Sequence, residues 1–262
     1  MSQELQGEFF ISEMSFGGKM RFLVKKKTDS LYDLEVEFQT LFYNMQSDDN
    51  EISASSQSVD STDIFSSILK EMTKSPFDIS ITRHGIVEDV KMENLFENLF
   101  NLNPDIPRLE RARIIYLTKQ SFGEKAMKGS IEMLTAIYPS KPVEKGDEWK
   151  NQIRLETIFG ETMENKFVLT ELSNDFAIIN VQSKTISDDN DSFIKTGDHL
   201  LRMKSTGSMS STYKIDKNSG WIIESETHQD ISGIIETKWR EDSIIILKIP
   251  FEYNGSIKIK AE

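Results

Sequence analysis

Cysteine is absent from this 262-residue chain. That single absence removes disulfides, thiol nucleophiles, iron–sulfur clusters and thiolate zinc sites. Histidine is scarce: His84, His199 and His228 are the three, and none has a second histidine or a carboxylate at metal-ligand spacing. Long apolar runs are also missing, and no stretch approaches the roughly 20 residues a membrane-spanning helix needs. Positive charge is in deficit, with 31 Lys and Arg against 43 Asp and Glu and a net charge of −12. Phosphate backbones repel such a chain, and no Lys/Arg stripe interleaved with aromatics offsets the repulsion. Nucleic acid is therefore not an expected partner, and neither is simple electrostatic docking to an anionic membrane. Gly-x-Ser-x-Gly, Walker and Gly-x-Gly-x-x-Gly loops are absent too.

What is present is a folded, β-forming chain. Hydrophobic residues make up 37% of it, with 16 Phe, 6 Tyr and 3 Trp, too apolar for a disordered tail. Tyr32-Asp33-Leu34-Glu35-Val36-Glu37-Phe38 alternates strictly, as a strand does with one face buried and one wet. Met20, Phe22 and Val24 alternate upstream, and Lys27-Thr28-Asp29-Ser30 joins the two as a hairpin. Gly17-Gly18 reads as a turn, and Ser47 to Asp63 as a polar loop. A short helix follows, started near Ser61 or Thr62, with Ile64, Phe65, Ile68, Leu69 and Met72 on one face and Pro76 beyond it. Phe77, Ile79 and Ile81 then form a second hairpin with 86–90, turning at Arg83-His84-Gly85.

Helices are predicted next. Met92, Leu95, Phe96, Leu99 and Phe100 share one face, and two further segments, 107–119 and 122–138, break near Gly123. From Trp149 the pattern returns to strands, with turns at Asp216-Lys217-Asn218-Ser219-Gly220 and Asn254-Gly255. A degenerate repeat links the halves. Tyr32–Phe38, Ser47–Asn50 and Gly85–Glu88 find counterparts in Phe176–Val181, Ser187–Asn190 and Gly220–Glu224. The expected fold is mainly β (α+β), a large curved antiparallel sheet or open half-barrel within one domain, 1–262. Its similar halves would be 8–90 and 149–260, with the helical segment 91–138 packed on one face.

Chemistry is harder to find. Asp188-Asp189-Asn190-Asp191-Ser192 resembles a calcium loop, but an EF-hand needs Gly at the sixth position and Glu at the twelfth. Those positions hold Phe193 and His199, so the motif fails and no metal or cofactor is expected. Carboxylates are abundant, yet no two stand out as an acid–base pair. Met92, Phe96 and Phe100, with Met127 from the following helix, are the candidate ligand-lining residues, since Met and Phe suit lipid-like guests. A helix packed on a sheet requires the same spacing.

One segment carries a resemblance. Ser121–Met127, Tyr138-Pro139-Ser140-Lys141-Pro142-Val143-Glu144-Lys145-Gly146-Asp147-Glu148-Trp149 and Pro76–Val87 resemble DUF6263, a family of exported proteins of Bacteroidetes-type bacteria, many of them predicted lipoproteins. The likeness runs from the Tyr32 strand to about Trp221. Pro-x-x-Pro-Val-x-x-Gly-Asp-x-Trp should open a strand and bury Trp149. The resemblance implies a periplasmic or envelope location after export and supplies no catalytic residues. Met1–Gly7 has no basic n-region or apolar h-region, so an export signal would have to precede it. Three functions follow as expectations: a binder of a hydrophobic molecule on the concave face of the sheet, an envelope interaction or scaffold module, and a carboxylate-based hydrolase.

Overall fold

The structure, a computed structural model, describes residues 1–5, 8–47, 50–60, 63–100, 107–155, 161–187, 193–196, 199–239, 244 and 247–262. The fold is mainly β with one group of helices, and its strands pair antiparallel into two sheets, neither of them closed. The chain divides into two compact units, Ser12–Tyr138 and Met1–Ile11 with Pro139–Glu262. Strand β1 (Ser2–Leu5) and the opening residues of β2 (Glu8–Lys27) belong to the latter.

The unit Ser12–Tyr138 holds the rest of β2, then β3 (Leu31–Ser47), β4 (Glu51–Ser55), α1 (Ile64–Thr73), β5 (Phe77–Thr82), β6 (Val87–Lys91), α2 (Glu93–Phe100), α3 (Arg108–Phe122) and α4 (Glu124–Thr135). Its sheet runs β6-β5-β3-β2, with β4 paired to the far end of β3. The alternation in the sequence sets the buried face: Leu34, Val36 and Phe38 of β3 lie beside Phe77, Ile79 and Ile81 of β5. Helix α1 packs on β3 and β4, α4 on β6, and α2 touches α1 and α3. Buried hydroxyls are tied to backbone, as burial requires: Ser66 Oγ accepts from Ser55 N at 2.9 Å, and Ser56 Oγ from Leu41 N at 3.0 Å. Gly85, at φ +83°, turns β5 into β6 directly beneath the end of α4. Thr135 Oγ1 donates to its carbonyl at 2.6 Å, and a Cβ there would fall on the Thr135 carbonyl.

The other unit is a sheet of order β7-β8-β9-β11-β12-β13-β1. Its strands are β7 (Glu148–Leu155), β8 (Glu161–Leu172), β9 (Phe176–Ser187), β10 (Ile194–Thr196, paired to β11), β11 (His199–Asp216), β12 (Ile222–Lys238) and β13 (Leu247–Lys260). One face of β8, β9 and β11 buries Met163, Phe167, Leu169, Ile179, Val181, Met209, Tyr213 and Ile215. Small hydroxyl and amide side chains share that face in bonded pairs. Asn165 Nδ2 donates to Asn151 Oδ1 at 2.8 Å, Ser205 Oγ to Glu161 Oε1 at 2.9 Å, and Thr227 Oγ1 to Ser211 Oγ at 2.8 Å.

Five local expectations are corrected. The polar stretch from Ser47 to Asp63 contains β4, which satisfies its backbone on β3. Helix α1 is capped by Asp63, whose carboxylate accepts from Phe65 N at 3.0 Å, one residue beyond the expected start. Gly17-Gly18 lies inside β2, because the strand needs close approach there and no reversal: a Cβ on Gly18 would strike the Thr40 carbonyl. Asn254-Gly255 likewise lies inside β13, where the Tyr253 ring occupies the space a side chain would need. Trp149 is half-buried rather than buried, stacked on Phe167 with ring centroids 5.4 Å apart. The segment Asp188–Ser192, tested above as a calcium loop, lies outside the described residues, as do Asp48, Asp49 and residues 188–190 of the repeat.

Candidate interaction surface

The helical ligand candidates come together in the core. Met92 and Met127 are buried in the same cluster as Leu95, Leu99, Ile131 and Met72, and Phe96 packs half-buried against it. Met92 precedes α2, where Glu124 Oε1 accepts from its backbone N–H at 3.3 Å. The Phe100 side chain lies outside the described residues. Beneath the helices Leu34 is 1% exposed, and Val36, Met72 and Val87 are 0% exposed. Side chains that expose nothing leave no room for water against them. The spacing that marks these residues in the sequence is the spacing of a packed helix face.

A half-exposed apolar stripe lies one strand further out. Register sets Val24, Phe22 and Met20 of β2 beside Leu34, Val36 and Phe38, then Phe16 beside Tyr43 and Met14 beside Met45. They share the core-side face of the sheet, yet Phe22, Val24, Met14 and Phe16 remain 39%, 45%, 48% and 51% exposed. Phe16 meets Phe122 of α3 at 5.4 Å between ring centroids, and Met20 packs against the core cluster. Along Ser12–Lys27 the one described strand paired to β2 is β3; β1 pairs only with Glu8–Ile11. Covering such half-exposed aromatic and aliphatic side chains contributes about 1–2 kcal/mol each.

Charge marks the same strand. Between Lys19 and Lys27 stand Lys19, Arg21, Lys25, Lys26 and Lys27, without one carboxylate, in a chain of net −12. Arg21 pairs with Glu37, and Lys25 Nζ lies 2.8 Å from Glu35 Oε2, both carboxylates belonging to β3. Glu35 holds the Lys25 ammonium above its ordinary pKa. Lys27 lies over the Tyr32 ring. Leu23, on the same face as Arg21, is 44% exposed.

The unit containing Pro139–Glu262 has a different feature, a shallow groove of about 600 Å³ lined in part by Lys204, Thr206, Ile234, Pro250, Phe251 and Glu252. Nearby, Glu236 is buried between Arg202, whose Nε donates to it at 2.8 Å, and Lys248, at 3.1 Å. Burial pushes that carboxyl up, but Arg202 and Lys248 outweigh it and hold its pKa below the ordinary value. The carboxyls of Asp216, bonded by Ser219, and Glu226, bonded by Lys258, are also held low. A general acid needs the opposite shift, so these three do not make a hydrolytic pair.

The histidines do not converge. His84 sits in the β5–β6 turn, His199 lies 4.2 Å from the Trp239 ring, and His228 is 3.6 Å from Glu226. Among the described residues no three His, Asp or Glu side chains could share a metal ion, and no described helix is long and apolar enough to cross a membrane.

These features define a mainly β protein with helices packed on a sheet and a half-exposed apolar stripe on β2. Residues 29–222 match the family of unknown function DUF6263, and the chain belongs to that family. No curated protein and no solved structure matches it.

Proposed function

We propose that this chain is a non-enzymatic interaction module of the bacterial cell envelope, offering the β2 edge to an extended segment of another protein. The observation that carries the reading is the half-exposed stripe Met14, Phe16 and Val24 on β2, whose described strand partner beyond Ile11 is β3. A second strand there would gain backbone hydrogen bonds from β2 and apolar contacts from the stripe, the two ingredients of recognition by strand addition. The envelope location is supported by the exported character that the family resemblance implies. The test is a photo-cross-linking side chain at Leu23, exposed on β2, against one at Val59, 99% exposed elsewhere. In envelope extracts Leu23 should give a discrete adduct and Val59 none; equal labelling, or none at either position, contradicts the proposal.

A second reading rests on the groove, where Ile234, Pro250 and Phe251 lie beside Lys204 and Glu252. That mixture suits an amphipathic molecule with an apolar body and a polar end. A fatty acid retained by wild type and lost from an Ile234→Lys variant in native mass spectrometry would support it; equal retention would count against it.

A further inference from the structure

We propose that the outward face of helix α3 docks on an anionic lipid surface, a reading independent of β2. Helix α3 (Arg108–Phe122) turns apolar residues in two opposite directions. Ile114, Ile115 and Phe122 pack against the core cluster, and Thr118 on the same side is buried. Leu109, Ala112 and Tyr116, at the i, i+3, i+7 spacing of a single helix face, point the other way. All three are exposed, Leu109 at 87% and Tyr116 at 47%. A single exposed leucine on a folded surface needs no explanation. A second apolar stripe opposite the packed one does, because a helix held by its neighbours needs only one.

Charge beside that stripe selects the occupant. Helix α3 carries Arg108, Arg111, Arg113 and Lys119 against Glu110 alone, a net of +3 in a chain of net −12. Arg113 flanks the stripe on one side, with Arg108 and Lys119 on the other, and all three are exposed. Lys119 stays exposed while its ammonium lies 5.0 Å from the centre of the Phe96 ring. Helix α4, packed beside α3, sets Lys125 and Lys128 against Glu124 and Glu132 and adds no net charge. Leucine and tyrosine between cations are the elements of a helix lying in a bilayer interface. The leucine enters the headgroup layer, the tyrosine ring sits at its level, and the cations meet lipid phosphates. Leu109 stands out from the surface, and a lipid layer deforms around such a projection where a protein partner needs a matching pocket. The acidic remainder of the chain is repelled by the same surface, which orients the molecule with α3 toward it.

The absence of cysteine makes the test direct. On the full chain, Leu109→Cys and, separately, Val59→Cys each carry one polarity-sensitive fluorophore; Val59 is 99% exposed elsewhere. Vesicles of phosphatidylcholine with equimolar phosphatidylglycerol should shift the Leu109 probe to the blue and leave the Val59 probe unmoved. Vesicles of phosphatidylcholine alone should move neither, and raised salt should weaken the response. In co-sedimentation of the unlabelled protein, Arg113→Glu should weaken binding to the anionic vesicles at least about fivefold. Lys26→Glu, the same change of charge on β2, should alter it less than about twofold. Both side chains are exposed, so both variants should keep thermal midpoints close to that of wild type. Equal responses to neutral and anionic vesicles, no response to either, or equal weakening by Arg113→Glu and Lys26→Glu overturns the proposal. A Leu109 response to poly-glutamate with none to anionic vesicles names an acidic protein segment as the occupant. A response that grows with protein concentration without vesicles names a second copy. Either outcome also overturns it.

Discussion

Glu236 shows how one residue ties charge to stability. Its carboxylate is 7% exposed and is held by Arg202 and Lys248 from the neighbouring strands β11 and β13. Burial alone would raise its pKa, and the two cations bring it below the ordinary value of 4.5. A carboxyl with a lowered folded-state pKa contributes stability that is fully present above its unfolded value and is lost as pH falls through its folded value. Urea midpoints measured from neutral pH downwards should therefore fall below about pH 4.5 in wild type, and the loss should be smaller in Glu236→Gln. Identical pH profiles would mean that the cations do not hold this carboxylate in solution. Nothing in the sequence singles Glu236 out from the other acidic residues, because its partners lie 34 and 12 positions away and only the register of β11, β12 and β13 brings them together.

The strand β2 shows what alternation reveals and what it hides. Tyr32–Phe38 reads directly as half-buried strand, and β3 places Leu34, Val36 and Phe38 in the core as the pattern requires. Met20, Phe22 and Val24 show the same alternation in the sequence, yet Phe22 and Val24 stay 39% and 45% exposed while their cross-strand partners Val36 and Leu34 are buried. Periodicity gives the face a residue points to and leaves open whether another layer covers it. The energetic consequence can be measured. Leu34→Ala should cost about 3 kcal/mol, as for a filled core site, whereas Val24→Ala, at its cross-strand partner, should cost less than about 1 kcal/mol. Equal losses in chemical denaturation would show that Val24 is covered. A paired glycine between apolar runs signals a turn, but Met14, Phe16, Met20 and Phe22 keep the period of two straight through Gly17-Gly18. That unbroken alternation was the available sign that one strand spans the stripe.

At the scale of the whole chain, the mainly β fold and the central helices were legible, because long alternating runs and the prolines around the helices set them. The extent of β11 and β12 was not. Their buried faces carry Ser205, Gly207, Ser211, Ser225 and Thr227, and hydroxyls satisfied by hydrogen bonds leave no hydrophobic period to read. The interaction surface was legible only in part, since a net charge of −12 conceals a nine-residue stretch that is wholly cationic among its charged residues. The proposed docking edge is β2 along Ser12–Lys27. Residue-resolved hydrogen exchange on the isolated chain tests it most directly. In an antiparallel pair, alternate amides point to the partner strand and the remainder point away. Along Ser12–Lys27 slow and fast amides should alternate, with the fast ones exchanging well ahead of Leu34–Phe38, and they should slow when a partner segment is bound. Uniform protection of Ser12–Lys27 in the isolated chain, equal to that of Leu34–Phe38, would mean the edge is already covered and would contradict the account.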